Sequence, residues 1–385
     1  MEISGNIAWV FLGLVWTLII CPLGIKLFFL GRGTDRRRLQ VLGTALTMFC
    51  LVVIWWVAVG YSWVFSDINE GFGWPFSKAF FLSIGISQKH GEIPEILFAG
   101  VIMMKVIVVV MMLGINLAHR MPILNWVLFV FLWLSMVLVP IARLIWNSPF
   151  SNFSLYDFSG GFLWLAAGIS TLVVVIVTGG SAIRYSEQGY RLRTFLLGFA
   201  FIWLGLMILH ALGSLKADAS AVHAFMTTNF CACVGGLSWL IPEALKNGKA
   251  SFEGIGNGFM AALISISFGA GYLTFEGALL CGLFSGLLSQ YLIVYWAKAL
   301  ESEFSYYPFL LIVPPALVGA LVTACFASPI LGERSGFMYG SSELLISQII
   351  GIVSVLSYSA ILTLVLCLMV FPKARSPFLS LIMDR

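Results

Sequence analysis

The sequence predicts an all-α fold, a polytopic membrane bundle of eleven transmembrane helices built as a single domain over residues 1–385. Three observations predict it. Hydrophobic residues make up 60 % of the chain and charged residues 10 %, with a mean hydropathy of +1.01, whereas a soluble domain carries about 25 % charged and about 45–50 % apolar residues. Dividing 385 residues by about 35, a span plus its connection, gives on the order of eleven crossings. Long apolar runs such as 97–117 and 345–371 far exceed the alternating segments, about ten residues long, of a membrane barrel.

Apolar runs set against breaking residues place the spans near 6–29, 40–65, 95–118, 122–146, 160–183, 194–213, 220–244, 253–273, 277–298, 306–328 and 342–371. The first starts without a basic segment before Ile7, so it reads as a retained helix and not as a cleaved leader. The second closes on the aromatic stretch Trp55 to Phe65, and the third carries Lys105 near its middle. A cation there costs about 2.5–3.5 kcal/mol or more unless it is paired or hydrated, which singles Lys105 out. The fourth ends at Trp146, and the fifth follows Asp157, a carboxylate placed to cap its N-terminus. The sixth ends near His210, read as a core histidine with satisfied nitrogens; His90, His119 and His223 lie near span ends and read as solvated. Cys231 and Cys233 in the seventh are two apart, point about 200° away from each other and cannot share a metal. The eighth and ninth are glycine-rich (Gly254, Gly258, Gly269, Gly271, Gly277, Gly282, Gly286), a composition that lets helices approach closely in lipid. All seven cysteines lie in apolar stretches and read as buried small hydrophobes.

Eleven spans put the termini on opposite sides. One set of alternate connections, with the C-terminal tail, holds 14 of the 21 Lys and Arg residues, among them Arg32, Arg36, Arg37, Arg38, Arg184 and Lys246. The other set holds five, namely Lys78, Lys89, Arg143, Lys216 and Arg334, so the positive-inside rule places the N-terminus outside and the C-terminus in the cytoplasm, in the plasma (inner) membrane. The outer connections Asp67 to Lys78 and Asn147 to Asp157 are aromatic and polar, as in a vestibule. No Walker motif, dinucleotide fingerprint, HExxH or nucleophile elbow is present, so neither an enzyme nor a cofactor, metal or nucleic-acid partner is expected.

Several segments, in order, resemble the ammonium transporter/Rh family. They are Trp55 to Phe65, similar to W-x-x-x-GYS-x-x-F; Asn116-Leu117-Ala118-His119-Arg120, similar to A-L-A-E-R; Pro140 to Trp146; Asp157-Phe158-Ser159-Gly160-Gly161, similar to D-F-A-G-G, with Ala166-Ala167-Gly168; and Gly248-Lys249-Ala250-Ser251, Gly254, Gly258, Gly271-Tyr272 and Gly277-Ala278-Leu279. The resemblance implies a homotrimer with one pore per protomer, between inverted repeats at about 6–185 and 194–328, with the eleventh helix crossing outside them. The substrate it implies is ammonium, ammonia or a related small solute.

The resemblance also implies site positions. A recruitment site that holds ammonium by cation–π contact and hydrogen bonding falls at Trp146 and Gly213, with Asp157 ordering it. The two gating aromatics fall at Lys105 and Leu209, and the twin pore histidines at Leu165 and Ile312, so both pairs have been replaced. With no titratable group at Leu165 or Ile312, proton relay along that route loses its carriers. The ammonium of Lys105 is expected where substrate would pause, received by Asp157, Trp146 or His210. Only twelve residues follow Lys373, so binding of a nitrogen regulator at a long tail is not expected. Two readings compete: an ammonia path with an altered pore, and a non-conducting sensor, scaffold or subunit plugged by Lys105. An anion or other solute path lined by Lys105 is a third.

Overall fold

The computed structural model describes residues 5–32, 35–66, 75–85, 87–117, 122–148, 155–179, 191–249, 251–300 and 307–371. The expectations for His119, for Arg184, for the outer segments 67–74 and 149–154 and for the tail from residue 372 lie outside these. Helix is the outcome because hydrocarbon offers the backbone no water, and a helix satisfies its N–H and C=O groups within one segment. In chain order the helices are α1 (Gly5–Arg32), α2 (Asp35–Trp55, continued through a π turn at Trp56–Gly60 into Tyr61–Phe65) and α3 (Glu95–Leu117). Next come α4 (Ile123–Trp133, through a π turn at Leu134–Leu138 into Val139–Trp146), α5 (Gly161–Thr178), α6 (Leu192–Ala211) and α7 (Ala219–Asn247). The series ends with α8 (Phe252–Ile266), α9 (Phe275–Leu300), α10 (Tyr307–Phe326) and α11 (Glu343–Val370). Among the described residues, ten of these helices are long and apolar enough to cross a bilayer, and α8 is shorter at 15 residues.

The shortness of α8 departs from the span expected at 253–273. After Ile266 the chain tightens into successive turns, with the N–H of Ser267 donating to Ile264, that of Gly269 to Ile266 and that of Tyr272 to Gly269, at 2.9–3.3 Å. Carbonyls that a longer helix would have consumed are thereby released. The N–H groups of Phe158 and Ser159 donate to the carbonyls of Phe268 and Ser267 at 3.0 and 2.9 Å, pinning the segment before α5 to the end of α8.

Small residues set the closest contacts. α1 runs along α6, where a Cβ at Gly198 would collide with the backbone of Phe28, and one at Gly24 would come within 2.7 Å of the Ile202 nitrogen. Gly258 of α8 meets Gly235 of α7 in the same way. Buried tryptophans tie the first helices together through their indole N–H groups: Trp55 to Ser135 at 3.1 Å, Trp56 to the Ala99 carbonyl at 3.0 Å, Trp133 to Ser170 at 2.9 Å. Each bond satisfies a donor that would be costly to leave unpaired in a dry interior. The cysteines all hold free thiols, but only Cys21, Cys231, Cys281 and Cys367 are buried. Cys50 is exposed and Cys233 and Cys325 are half-buried, because an apolar helix in a membrane protein turns one face to lipid, so hydropathy alone does not report burial.

An antiparallel hairpin, β1 (Lys89–His90) and β2 (Ile93–Pro94), precedes α3. It is tied to the α6–α7 connection by Glu92 and Lys216 at 3.2 Å, and Asn6 donates to Glu92. The hairpin, the start of α5 and the ends of α4, α6 and α8 thus gather on one side of the bundle.

Candidate functional site

Asp157 organises that side. Its Oδ1 accepts from the N–H groups of Ser159, Gly160 and Gly161 at 3.1, 2.7 and 2.8 Å, and its Oδ2 from Phe162 at 2.8 Å. The first N–H groups of a helix have no intrahelical acceptor, and this carboxylate takes the first two of α5, with those of the two residues before it, while its charge faces the positive end of the helix dipole. Gly160 closes the turn at φ +91°, a left-handed conformation open to glycine.

The turn fixes Phe158. Its ring lies between Gly213 and Gly271, where a Cβ at Gly213 would approach the ring within 2.7 Å and one at Gly271 would overlap it, and it meets Tyr272 edge-on at 5.0 Å. With the ring clamped and the N–H bonded to Phe268, the Phe158 carbonyl is left to accept from Lys105 Nζ at 3.2 Å. Lys105 is only 4 % exposed, and its ammonium also sits 5.8 Å from the centre of the Trp146 ring, within cation–π range. Asp157 faces the same cavity as Lys105.

These residues line a cavity of about 630 Å³ in which Lys105, Trp146, Asp157 and Gly213 all take part, beside Phe98, Tyr156, Tyr272 and Arg334. Tyr156 stacks on Tyr272 at 4.2 Å, and Arg334 lies over Tyr156. His90 stacks on Phe98 at 3.7 Å at the rim. Among the described residues no group of three or more His, Cys, Asp and Glu side chains could hold a metal ion.

The remaining expected site residues lie outside this lining. Leu165, Ile312 and Leu209 are 0, 1 and 2 % exposed and belong to the aliphatic core. α5 and α10 touch at Gly168, where a Cβ would come within 2.5 Å of Val313 and 2.9 Å of Ile312. His210 does not receive Lys105: its Nδ1 pairs with the Thr228 hydroxyl at 3.0 Å and its Nε2 with that of Ser267 at 3.1 Å, which satisfies the ring and braces α6 against α7 and the end of α8. Nor do the Asp157 oxygens bond the ammonium, since four N–H groups occupy them. The acceptor that sequence reasoning missed is the Phe158 carbonyl, a backbone atom that no residue type announces. Ser214, beside Gly213, turns back to the Ala211 carbonyl at 3.0 Å. His223 is not simply solvated, since its Nε2 pairs with the Leu273 carbonyl at 2.8 Å.

The sequence model described as the Ammonium Transporter Family matches residues 8–372 of the chain. The chain belongs to the ammonium transporter family. Among its relatives are an ammonium transporter of Aquifex aeolicus, 27 % identical over 373 residues and covering 95 % of this chain and 87 % of that one, and ammonium transporter Amt1 of Archaeoglobus fulgidus, 26 % identical over 367 residues and covering 94 % and 91 %. The fold is similar to the crystal structure of Saccharomyces cerevisiae Mep2, with a TM-score of 0.83 at 24 % identity over 97 % of this chain and 86 % of that one. Members of the family are integral membrane transporters or channels and not enzymes, and this chain is an integral membrane protein.

Proposed function

We propose that this protein is a membrane path for ammonia, or a related small neutral solute, in which Lys105 occupies the position where a free ammonium ion would rest. The observation that carries the reading is the Lys105 ammonium held between the Phe158 carbonyl and the Trp146 ring. These are the partners a free ammonium would seek, and a second cation 4 Å away would be repelled by about 4 kcal/mol at an effective dielectric constant near 20. Farther along, Leu165, Leu209 and Ile312 offer no polar atom, so a charge meets a dehydration cost that neutral ammonia does not. Lys105, with Asp157 as counter-charge, Trp146 and Gly213 form the entry, and His210 is a structural brace.

The reading includes two inverted repeats, about 6–185 and 194–328, because neighbours in one half correspond to neighbours in the other: α2 with α3 and α7 with α8, α3 with α5 and α8 with α10. It also includes a homotrimer with the N-terminus outside and the C-terminus in the cytoplasm of the inner membrane. A second reading is favoured by the complete burial of Leu165, Leu209 and Ile312: a non-conducting sensor, scaffold or subunit with Lys105 as a plug.

Flux of ammonia and methylammonium into proteoliposomes tests the two. Wild-type ammonia flux well above empty liposomes, without charge movement, is the expected result. Flux at the empty-liposome level in wild type, restored by Lys105→Phe or by Leu165→His with Ile312→His, would overturn the path in favour of the plug.

A further inference from the structure

Away from the vestibule, a groove of about 460 Å³ opens between α1 and α2 and reaches Met111 of α3. Leu18, Pro22 and Leu23 wall it on one side and Leu42, Leu46 and Phe49 on the other, and among the described residues of its lining Lys26 carries the charge. Gly43 forms part of the wall and a Cβ there would meet nothing within 4 Å, so the missing side chain is what widens the groove at this height. Leu46 is 66 % exposed, so the groove opens on the outer face of the protomer.

Depth matters for Lys26. It stands six residues before Arg32, hence about 9 Å along the helix from that end of the bundle. A lysine stem extends far enough from this depth to bring its ammonium to the headgroup region while its methylenes remain against apolar wall. The sequence adds Arg32, Arg36, Arg37 and Arg38 at the same end of the two helices. An apolar slot topped by a cation, beside a basic run, matches the two ends of one kind of molecule.

We propose that this groove is a binding site for a phospholipid of net negative charge, one acyl chain lying against Leu18, Leu23, Leu46 and Phe49 and its phosphate on Lys26. The site takes its lipid from the leaflet on the side of the basic run, and it is independent of whether the pore conducts. Lys26 supplies headgroup selectivity and the space at Gly43 supplies room for the chain. Dense positive charge alone attracts anionic lipid loosely, at about 1 kcal/mol per basic residue, but gives no reason for dependence on Gly43.

Native mass spectrometry of the purified protein titrated with phosphatidylglycerol or phosphatidylcholine tests this, with Lys26→Gln, Lys26→Arg and Gly43→Leu as variants. Wild type is expected to bind the first phosphatidylglycerol at least tenfold more tightly than phosphatidylcholine. Lys26→Gln should bring the two to parity while leaving the arginine run intact, Lys26→Arg should retain the preference, and Gly43→Leu should weaken both lipids. Equal affinities in wild type, an unchanged preference in Lys26→Gln, or undiminished binding in Gly43→Leu would each overturn the proposal. Should Lys26→Gln not fold, Gly43→Leu and Lys26→Arg decide it on the same criteria.

Discussion

Replacing Asp157 gives the sharpest test of how the vestibule is held together. Alanine strands three N–H groups, those of Gly160, Gly161 and Phe162, which now donate to the carboxylate at 2.7–2.8 Å, whereas the Ser159 N–H keeps its bond to the Ser267 carbonyl at 2.9 Å. Loss of an N-cap alone costs about 0.5–2 kcal/mol. Each buried donor left without an acceptor costs about 1–3 kcal/mol, and because the three share one turn the terms overlap, giving about 3–6 kcal/mol in all. Asparagine keeps the Oδ1 bonds to Ser159, Gly160 and Gly161 and turns an NH₂ toward the Phe162 N–H, so it loses one bond and costs about 1–3 kcal/mol. The expected order of melting midpoints in detergent, followed by tryptophan fluorescence, is wild type, then Asp157→Asn, then Asp157→Ala, with asparagine recovering at least half of the difference. An asparagine variant as unstable as alanine would refute the hydrogen-bond account and make the charge beside Lys105 the dominant quantity. An alanine variant that melts with wild type would refute the cap altogether.

The clamp on Phe158 predicts a graded response: Gly213→Ala, which brings a Cβ within 2.7 Å of the ring, should cost about 1–3 kcal/mol, and Gly271→Ala, which overlaps it, more, both read as lowered melting midpoints. Gly168→Ala should separate α5 from α10 and lower stability by a similar amount, since its Cβ would come within 2.5 Å of Val313. Asp218 caps α7 through the Ser220 and Ala221 N–H groups, and the Ser220 hydroxyl bond holds its carboxyl below the usual carboxylate range. The folded protein therefore binds that proton less readily than the unfolded chain. The contribution of the cap is complete above about pH 4 and fades as pH falls through the lower folded value, a dependence that Asp218→Asn should abolish in acid melting curves.

The helices were legible because hydrocarbon demands long apolar runs, and those runs are unmistakable. The end of α8 was not. The stretch Ser267 to Tyr272 holds no charged residue and no proline to mark a stop, and in a membrane protein hydropathy does not distinguish a turn buried in protein from a helix facing lipid. Lys105 was legible as a charge within an apolar span, and Asp157 as a cap from its place before a helix. Their partners belong to the tertiary structure: the Phe158 carbonyl is free because Phe158 N–H pairs with the turn after α8, and the His210 ring is satisfied by hydroxyls on two other segments. A single sequence records which groups need partners more clearly than it records who supplies them.

Removing the charge of Lys105 while keeping its stem should convert an occupied site into an open one. In Lys105→Met the Phe158 carbonyl and the face of Trp146 lose their cation, and Asp157 remains with its four N–H bonds, so the cavity is not expected to collapse. A hydrogen bond from a charged donor is worth about 1.5–3 kcal/mol and a cation–π contact about 0.5–2 kcal/mol. Together they amount to between about thirtyfold and a few thousandfold in affinity for methylammonium over wild type. Quenching or shift of tryptophan fluorescence, with isothermal titration as the direct measure, reads this, and Trp146→Leu in the Lys105→Met background should give back the cation–π share. Equal methylammonium affinity in wild type and Lys105→Met would mean that the tethered ammonium does not compete for the substrate position, and the proposed role of Lys105 would fall with it.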